Sequence, residues 1–584
     1  MQFLKGTDAD LQELLKSPEL VVDLETTGLN PRKDRVLEVV LGVPGVDTAY
    51  IFEPEAIRAL IMYKGLFIGH NIIDFDQAMM IPYGVHMYPE RVFDTLLTHH
   101  LYDENMSHSL DSIIQATWGD GYKKAFWSKH KEYADAPEQE RLEYAGKDVI
   151  YTGRLYLTLS ECVRSGEIDS ALIRHVHRLA FALSETSRRG IKIDLPYLTE
   201  IGVKLKTRLN ELGPLMRASA ELDIKAVEYD LWLKELDKRK TVKGRAGVPK
   251  PEFNFDSPKQ LGSLLYDKIG LPVQLKKRKV TTDFDALENI KDRHSLVALL
   301  QEQREKGKLY GTYVEGMADL LEDGRVYPEF MVNGTVTGRI SHAHPNVANL
   351  PKEGGLRGMY IPEPGMGIIS ADFSQLEVCI AAHFTQDKAL LSMIFDGASM
   401  HDITAAGLGC SRSIAKAINF AMQYGASAWK VSSVLGVSKA EGEHAFNKYW
   451  ETYAGVKREM DACAKCVDDG IPIVTLFGRK RRFENKARAP WDKAYRQAWN
   501  AKVQGTGSDM TSVSFYRVHE AYKKNGWGYG LFTVHDELLT SSLVKYALDA
   551  EKLLCETMVN IGKELQLTVP IKVESSGLMD RWND

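Results

Sequence analysis

Short apolar runs alternate with helix-like stretches over the first 160 residues or so. Leu20-Val21-Val22, Arg35-Val36-Leu37-Glu38-Val39-Val40 and Leu66-Phe67-Ile68 are rich in branched and aromatic side chains, which predicts strands of an α/β unit. From about 165 to 330 the pattern turns helical and charge-rich. The basic stretch Lys238 to Pro251, with its Gly and Pro, cannot pack a core and predicts a loop; a second basic run follows at Lys276 to Lys279. Residues 331–584 mix strands with long helices and hold most of the unusual polar placements. Neither an internal repeat nor a low-complexity tract interrupts this pattern.

Composition narrows the class. At roughly 150 residues per domain, 584 residues predict about three or four folding units. Lys and Arg number 74 against 79 Asp and Glu, a net charge of −5, which excludes a uniformly basic nucleic-acid coat but not local basic patches. Six cysteines are too few for a disulfide scaffold in so long a chain. Cys463 and Cys466 form one C-x-x-C without a partner pair, so two thiols on a helical stretch is the preferred reading over a zinc site. With no signal-like start and no run of 18 apolar residues, the expectation is a cytoplasmic, reduced, water-soluble protein.

The first chemical signal lies in Val21-Val22-Asp23-Leu24-Glu25-Thr26-Thr27-Gly28. Alternation along a strand points Asp23 and Glu25 the same way, where two like charges repel unless a cation lies between them. Asp74 or Asp76, in Asn71-Ile72-Ile73-Asp74-Phe75-Asp76, and Asp148, in Tyr144-Ala145-Gly146-Lys147-Asp148, offer two more carboxylates. Four oxygen donors suit Mg²⁺ or Mn²⁺, and two such ions about 4 Å apart serve phosphodiester hydrolysis.

A second signal spans the C-terminal half. Gly367-Ile368-Ile369-Ser370-Ala371-Asp372 is an apolar strand ending in an acid, and Phe373-Ser374-Gln375-Leu376-Glu377 then opens a helix. The run Phe532-Thr533-Val534-His535-Asp536-Glu537-Leu538-Leu539 reads as a hairpin whose tip carries the acids. Asp372 and Asp536 lie 164 positions apart, so only the fold can join them into a two-ion site. Between them Arg412, Lys416, Phe420 and Tyr424 recur every four residues, one slanted helical stripe about 18 Å long. Its passage from cations to aromatics matches a nucleoside triphosphate, with phosphates at one end and base at the other. Arg496, Asn500 and Gln504 repeat the spacing with donors suited to minor-groove acceptors. Asn333-Gly334-Thr335-Val336-Thr337-Gly338-Arg339 would let backbone approach a duplex. Phe477 to Arg482, with four consecutive cations, reads equally as a phosphate contact or a solvated face.

Two resemblances follow from these motifs. The Asp23/Glu25, Asn71–Asp76 and Tyr144–Asp148 segments resemble the DEDD 3′→5′ exonucleases of the tyrosine type. That resemblance implies Asp23, Glu25, Asp76 and Asp148 as metal ligands and Tyr144 as the group orienting the attacking water; Asp76 is preferred to Asp74 by its offset from Asn71. The whole chain resembles a family A DNA polymerase, because Asp372-Phe373-Ser374-Gln375-Leu376-Glu377, the Arg/Lys/Phe/Tyr stripe and His535-Asp536-Glu537 occur in that family's order. The implied fold is multidomain α/β and α+β: an RNase H-like exonuclease domain (1–160), thumb and start of palm (161–330), palm (331–400), fingers (401–480) and palm again (481–584).

The same resemblance implies roles. Asp372, Asp536 and the main chain of Phe373 would hold two Mg²⁺, or Mn²⁺, with Glu537 beside them. Gln375, Glu377, His401, Arg412, Lys416, Phe420 and Tyr424 would bind the dNTP, Glu377 excluding a 2′-hydroxyl. Arg339, Asn349, Arg496, Asn500, Gln504 and His535 would touch primer-template DNA. Ala348 departs from the family, which commonly has glutamine there. Helicase, primase and single-strand binding protein are the accessory partners such a replicase meets, and a monomer without membrane contact is expected. The first acid motif begins near residue 23, so no 5′-nuclease domain is expected ahead of it, and the size suggests a phage replicase. Two rivals remain: a single-subunit RNA polymerase, opposed by Glu377 and the exonuclease motifs, and a non-catalytic DNA-binding protein or a nuclease with a decayed polymerase half, opposed by the presence of every expected metal ligand.

Overall fold

The computed structural model describes residues 1–238, 248–276, 278–352, 354–423, 427–483 and 491–583. Branched side chains build the first sheet. Its strands are β1 (Gln2–Lys5), β2 (Glu19–Thr26), β3 (Val36–Gly42), β4 (Thr48–Phe52), β5 (Leu66–Gly69) and β6 (Val92–Asp94). They run in the order β1-β4-β3-β2-β5-β6, antiparallel through β4-β3-β2 and parallel from β2 to β6. Leu20, Val21, Val22 and Leu24 of β2 are buried, while Asp23 and Glu25 share the less covered face, as strand alternation requires. Helices α1 (Tyr122–Trp127) and α2 (Glu138–Arg164) follow; α2 buries Leu142, Tyr144, Ala145 and Val149 and packs on β2, β3 and β4.

The chain divides into two compact units: residues 1–191, 327–349 and 361–581 form one, and residues 192–326, 350–360 and 582 onward the other. Residues 161–191, grouped by sequence with the thumb, belong to the first unit. There α3 (Ser170–Arg189) buries Leu172, Val176, Leu179 and Leu183; its Thr186 hydroxyl donates to the Gly530 carbonyl at 3.1 Å. Its Glu185 accepts from His519 at 3.1 Å and Lys523 at 2.6 Å, which holds that carboxyl below the usual range. The second unit is built on the helices Leu195–Ser219, Glu221–Asp237 and Ser295–Lys308 around a core of Met216, Ile224, Leu264, Leu265, Leu296 and Leu300. Most of the basic loop expected at 238–251 lies outside the described residues.

The second large sheet of the first unit carries the C-terminal acids. Its strands are β7 (Met366–Ser374), β8 (Gly528–Val534), β9 (Glu537–Leu543) and β10 (Lys572–Met579), in the order β8-β9-β7-β10. Helix α4 (Leu376–Thr385) leaves β7 through Gln375, whose φ of 53° turns the chain sharply. Residues 400–468 contribute the helices Met400–Leu408, α5 (Arg412–Gln423), Ala428–Leu435, Lys439–Thr452 and Ala454–Asp468. Helix α6 (Trp491–Asn525) buries Met510, Val513, Phe515 and Tyr516 as it crosses β8, and α7 (Ala547–Glu564) packs beside it.

The cationic run 479–482 matches neither sequence reading. Arg479 is buried and grips Asp509 with two nitrogens, at 3.0 and 2.7 Å. Arg481 and Arg482 both reach the buried Glu104 at 2.9 Å, and Lys480 donates to the Glu167 carbonyl at 2.5 Å. These cations are spent on internal acceptors and tie the first sheet's region to the second's, so they form no phosphate patch. Cys463 is likewise structural, buried with Val467, Ile473 and Ala498. Among the described residues no helix is long and apolar enough to cross a membrane.

Candidate functional site

Three carboxylates converge at the edge of the first sheet. One oxygen each of Asp23, Glu25 and Asp148 lie within 4.8 Å of one another, the only such group among the described residues. Asp148 comes from α2, one turn beyond Tyr144, so both project from one helix face toward β2. Asp76 opens a short helix, is buried, and has one carboxylate oxygen without a hydrogen-bond partner. Burial first, then the charge of Asp23, raises the Asp76 carboxyl well above its ordinary range. Asp74 is exposed, and the charges acting on it are Asp94, Arg188 and Glu329, none of them in the cluster. Tyr144 is buried, its hydroxyl accepts from Trp127 at 3.2 Å, and burial and Glu25 raise its pKa.

Sequence reasoning missed two members of this cluster. The Tyr122 hydroxyl donates to one oxygen of Asp148, and Lys123 lies 2.5 Å from the other. Among the described residues, the cation acting on both Asp23 and Glu25 is Lys123, and it partly offsets their repulsion. Even so, burial pushes Asp23 up to about 6 and raises Glu25 and Asp148 well above the usual carboxylate range. Buried, mutually repelling carboxylates with an orphaned oxygen fit hard divalent cations, which Asp23, Glu25, Asp76 and Asp148 would hold.

This site makes stability depend on pH and on metal. A carboxyl whose pKa is higher folded than unfolded keeps a proton on the folded form, so stability falls as pH rises between the two values. For Asp23 that window runs from 3.8 to about 6. In chelator, the melting temperature should therefore fall from about pH 4 to pH 7, and Mn²⁺ at pH 7 should restore it. A flat profile with no metal response would count against a cation site.

The second sheet gathers the other acids. His535 and Asp536 form the two-residue tip between β8 and β9, with positive φ (56°) at His535 alone. In register, Asp372 of β7 stands opposite Glu537 of β9 and Glu574 of β10. The Phe373 N–H donates to the Asp536 carbonyl at 3.3 Å, which fastens the hairpin tip beside Asp372. Burial, then Glu377, pushes the Asp536 carboxyl up to about 6, with Arg339 opposing and Asp372 adding to the rise. Asp372, Asp536 and Glu377 thus share one field.

Around these acids, Arg339 donates to Glu377 at 3.0 Å. Gly338 precedes it with φ of 79°, and a Cβ there would meet the Arg479 guanidinium at 2.5 Å, so only glycine fits. Arg339, Asn349 and His535 line one cavity of about 260 Å³ together with Ser508, Thr511 and Ser512 of α6. One to three turns earlier on α6, Gln504 and Arg496 are half-buried and Asn500 is exposed. On α5, Arg412 and Lys416 are exposed while Ala415, Ile418, Asn419 and Met422 are buried; Arg412 reaches Asp402 at 2.9 Å. The Phe420 side chain and all of Tyr424 lie outside the described residues. His401 is half-buried at the start of the neighbouring helix.

Comparison with known proteins agrees with this geometry. A family model described as DNA polymerase family A matches residues 231–584, and one described as 3′-5′ exonuclease matches residues 6–164. The DNA polymerase I of Aquifex aeolicus is 29% identical over 99% of this chain and 98% of its own. That of Caldicellulosiruptor bescii is 34% identical over 55% of this chain and 40% of its own, and that of Helicobacter pylori strain 26695 is 31% identical over 68% and 42%. The chain therefore spans about two fifths of the length of the last two relatives. These relatives are bacterial and lend no support to a phage source. In fold, the chain is similar to the POL domain of Pol1 from M. smegmatis in complex with DNA primer-template and dNTP, with a TM-score of 0.81, 21% identity and 99% coverage of each chain. With one model covering more than half its length and the other five of the six strands of its first sheet, the chain belongs to DNA polymerase family A and carries a 3′-5′ exonuclease domain at its N-terminal end.

Proposed function

We propose that the chain extends a DNA primer on a template with dNTPs and removes mispaired 3′ ends at its exonuclease centre, both by two-metal phosphoryl transfer. The observation that carries this reading is the link from Phe373 to Asp536, which brings Asp372 of β7 to the acids at the β8–β9 tip. Mg²⁺ or Mn²⁺ held by Asp372 and Asp536, with the Phe373 carbonyl, would supply Lewis-acid activation of the primer 3′-hydroxyl and charge neutralisation at the pyrophosphate. Arg412 and Lys416, exposed on α5, receive the triphosphate, and His401 approaches from the adjacent helix. Gln375, with Phe420 and Tyr424, shapes the sugar and base side. Arg339, Asn349 and His535 border the cavity where the primer terminus lies, and Arg496, Asn500 and Gln504 continue that contact along α6.

In the exonuclease centre, Tyr144 orients the attacking water while Asp23, Glu25, Asp76 and Asp148 hold the cations. Primer-template DNA and dNTPs are the partners in this reading; helicase, primase and single-strand binding protein are accessory. The protein works as a monomer in the cytoplasm.

In this reading Glu377 faces the position of a ribose 2′-hydroxyl. Its carboxylate is held by Arg339 at 3.0 Å, so it is a fixed wall and not a swinging side chain. Replacing Glu377 with Ala should raise relative rNTP incorporation at least about tenfold while costing dNTP incorporation less, since a steric clash of ~1–3 kcal/mol is removed for one substrate only. Single-nucleotide incorporation with dNTP and rNTP checks this; equal selectivity in parent and variant would remove Glu377 from the sugar pocket. Primer extension on a defined template tests the reading as a whole.

A further inference from the structure

Buried polar side chains must be paired, and the fingers contain a buried group whose purpose the proposed chemistry has not used. Asn419 of α5 is 3% exposed and lies at the border between the cationic stripe and the apolar side of its own helix. Its Oδ1 accepts from the Thr404 hydroxyl at 2.8 Å, and its Nδ2 faces the Met400 carbonyl at 3.3 Å and His401 Nδ1 at 3.0 Å. Tyr453, also buried, closes the network, with its hydroxyl 2.8 Å from Thr404 Oγ1 and 3.3 Å from the Met400 carbonyl.

The network fixes its own polarity. A carbonyl only accepts, so the face of the Asn419 amide beside Met400 is the NH₂. The opposite orientation would set two oxygens against each other at Met400. The same NH₂ then donates to His401 Nδ1, and an Nδ1 that accepts carries no hydrogen. The hydrogen of the His401 ring is left on Nε2.

We propose that Asn419 is a positioning residue for the incoming nucleotide: it holds His401 as the Nε2–H tautomer so that the ring presents a donor to the triphosphate. The inference rests on the reading of His401 as a triphosphate contact. Anionic phosphate oxygens only accept, so a ring with a bare Nε2 would repel the group it is placed to bind. Asn419 thus links two helices of the fingers through one amide, and a buried asparagine at the edge of the cationic stripe of α5 acquires a reason.

Two measurements test this. In the parent protein labelled with ¹³C,¹⁵N-histidine, and with His401 assigned by its loss in His401→Gln, Nδ1 should show the shift of an unprotonated ring nitrogen and Nε2 that of a protonated one. A protonated Nδ1 with bare Nε2 would overturn the proposal without any variant having to fold at position 419. The second is a double-mutant cycle in single-nucleotide incorporation. Asn419→Asp accepts instead of donating and draws the ring hydrogen to Nδ1, so the KM for dNTP should rise about tenfold or more with kcat changed much less. In a His401→Gln background, whose amide offers a donor whatever occupies position 419, the same change should alter KM about twofold or less. An equal loss in both backgrounds would reduce Asn419 to a packing role and overturn the proposal. If His401→Ala leaves the KM unchanged, the triphosphate role of His401 fails first and takes this inference with it.

Discussion

Replacing Asp372 with Ala is expected to cut primer extension at least about a thousandfold, the scale of losing several kcal/mol of charge stabilisation, while 3′→5′ hydrolysis of single-stranded DNA stays within about twofold. The residue lies near the end of β7 with its side chain exposed, and the core of that sheet is made by Ile368, Ile369, Ala371 and Phe373. No buried contact of that core is removed with the carboxylate, so the fold should persist. The Phe373 N–H would still fasten the hairpin tip, because that bond is made by backbone. The loss would therefore fall on ion binding at Asp536 and not on the architecture that carries it. The comparison is primer extension and single-strand digestion by one preparation; a variant that still extends at parental rate would show that Asp372 is not part of the polymerising centre.

The converse substitution, Asp23→Ala, should lower exonuclease activity by a similar factor and leave extension intact, with more mispaired ends retained in the product. Asp23 raises the pKa values of Glu25, Asp76 and Asp148, so its removal relieves three unfavourable interactions at once. In chelator the variant should melt at or above the parental temperature, and the stabilisation by Mn²⁺ should shrink. Lost activity joined to undiminished stability is the signature of a functional carboxylate cluster. Lost activity joined to a lower melting temperature in chelator would point to a structural role instead.

Much of both centres was legible because local rules carry it. Alternation on β2 puts Asp23 and Glu25 on one face, helical spacing puts Tyr144 with Asp148, and apolar flanks around His535 and Asp536 mark a hairpin tip. What stayed hidden depends on pairs distant in the chain. Nothing near Lys123 announces that it will meet Asp148, since a Tyr-Lys-Lys segment on a short helix reads as surface. The run 479–482 misled for the same reason: its acids, Asp509 and Glu104, lie 30 residues after and more than 370 before their partners. Helix α3 reads as the start of a helical region, and only its contacts with Gly530, His519 and Lys523 place it against β8 and α6. The role of Asn419 is not readable locally, because its partners His401 and Thr404 stand on a separate helix.

Diffraction from crystals soaked in Mn²⁺ with primer-template and a non-hydrolysable dNTP gives the most direct test, since anomalous scattering locates manganese without assuming any ligand. The peaks should fall in two places: between the carboxylates of Asp372 and Asp536, and among Asp23, Glu25, Asp76 and Asp148. Manganese at neither position, or at only one of them with both DNA ends accounted for, would contradict a protein that builds and trims strands at two separate metal centres.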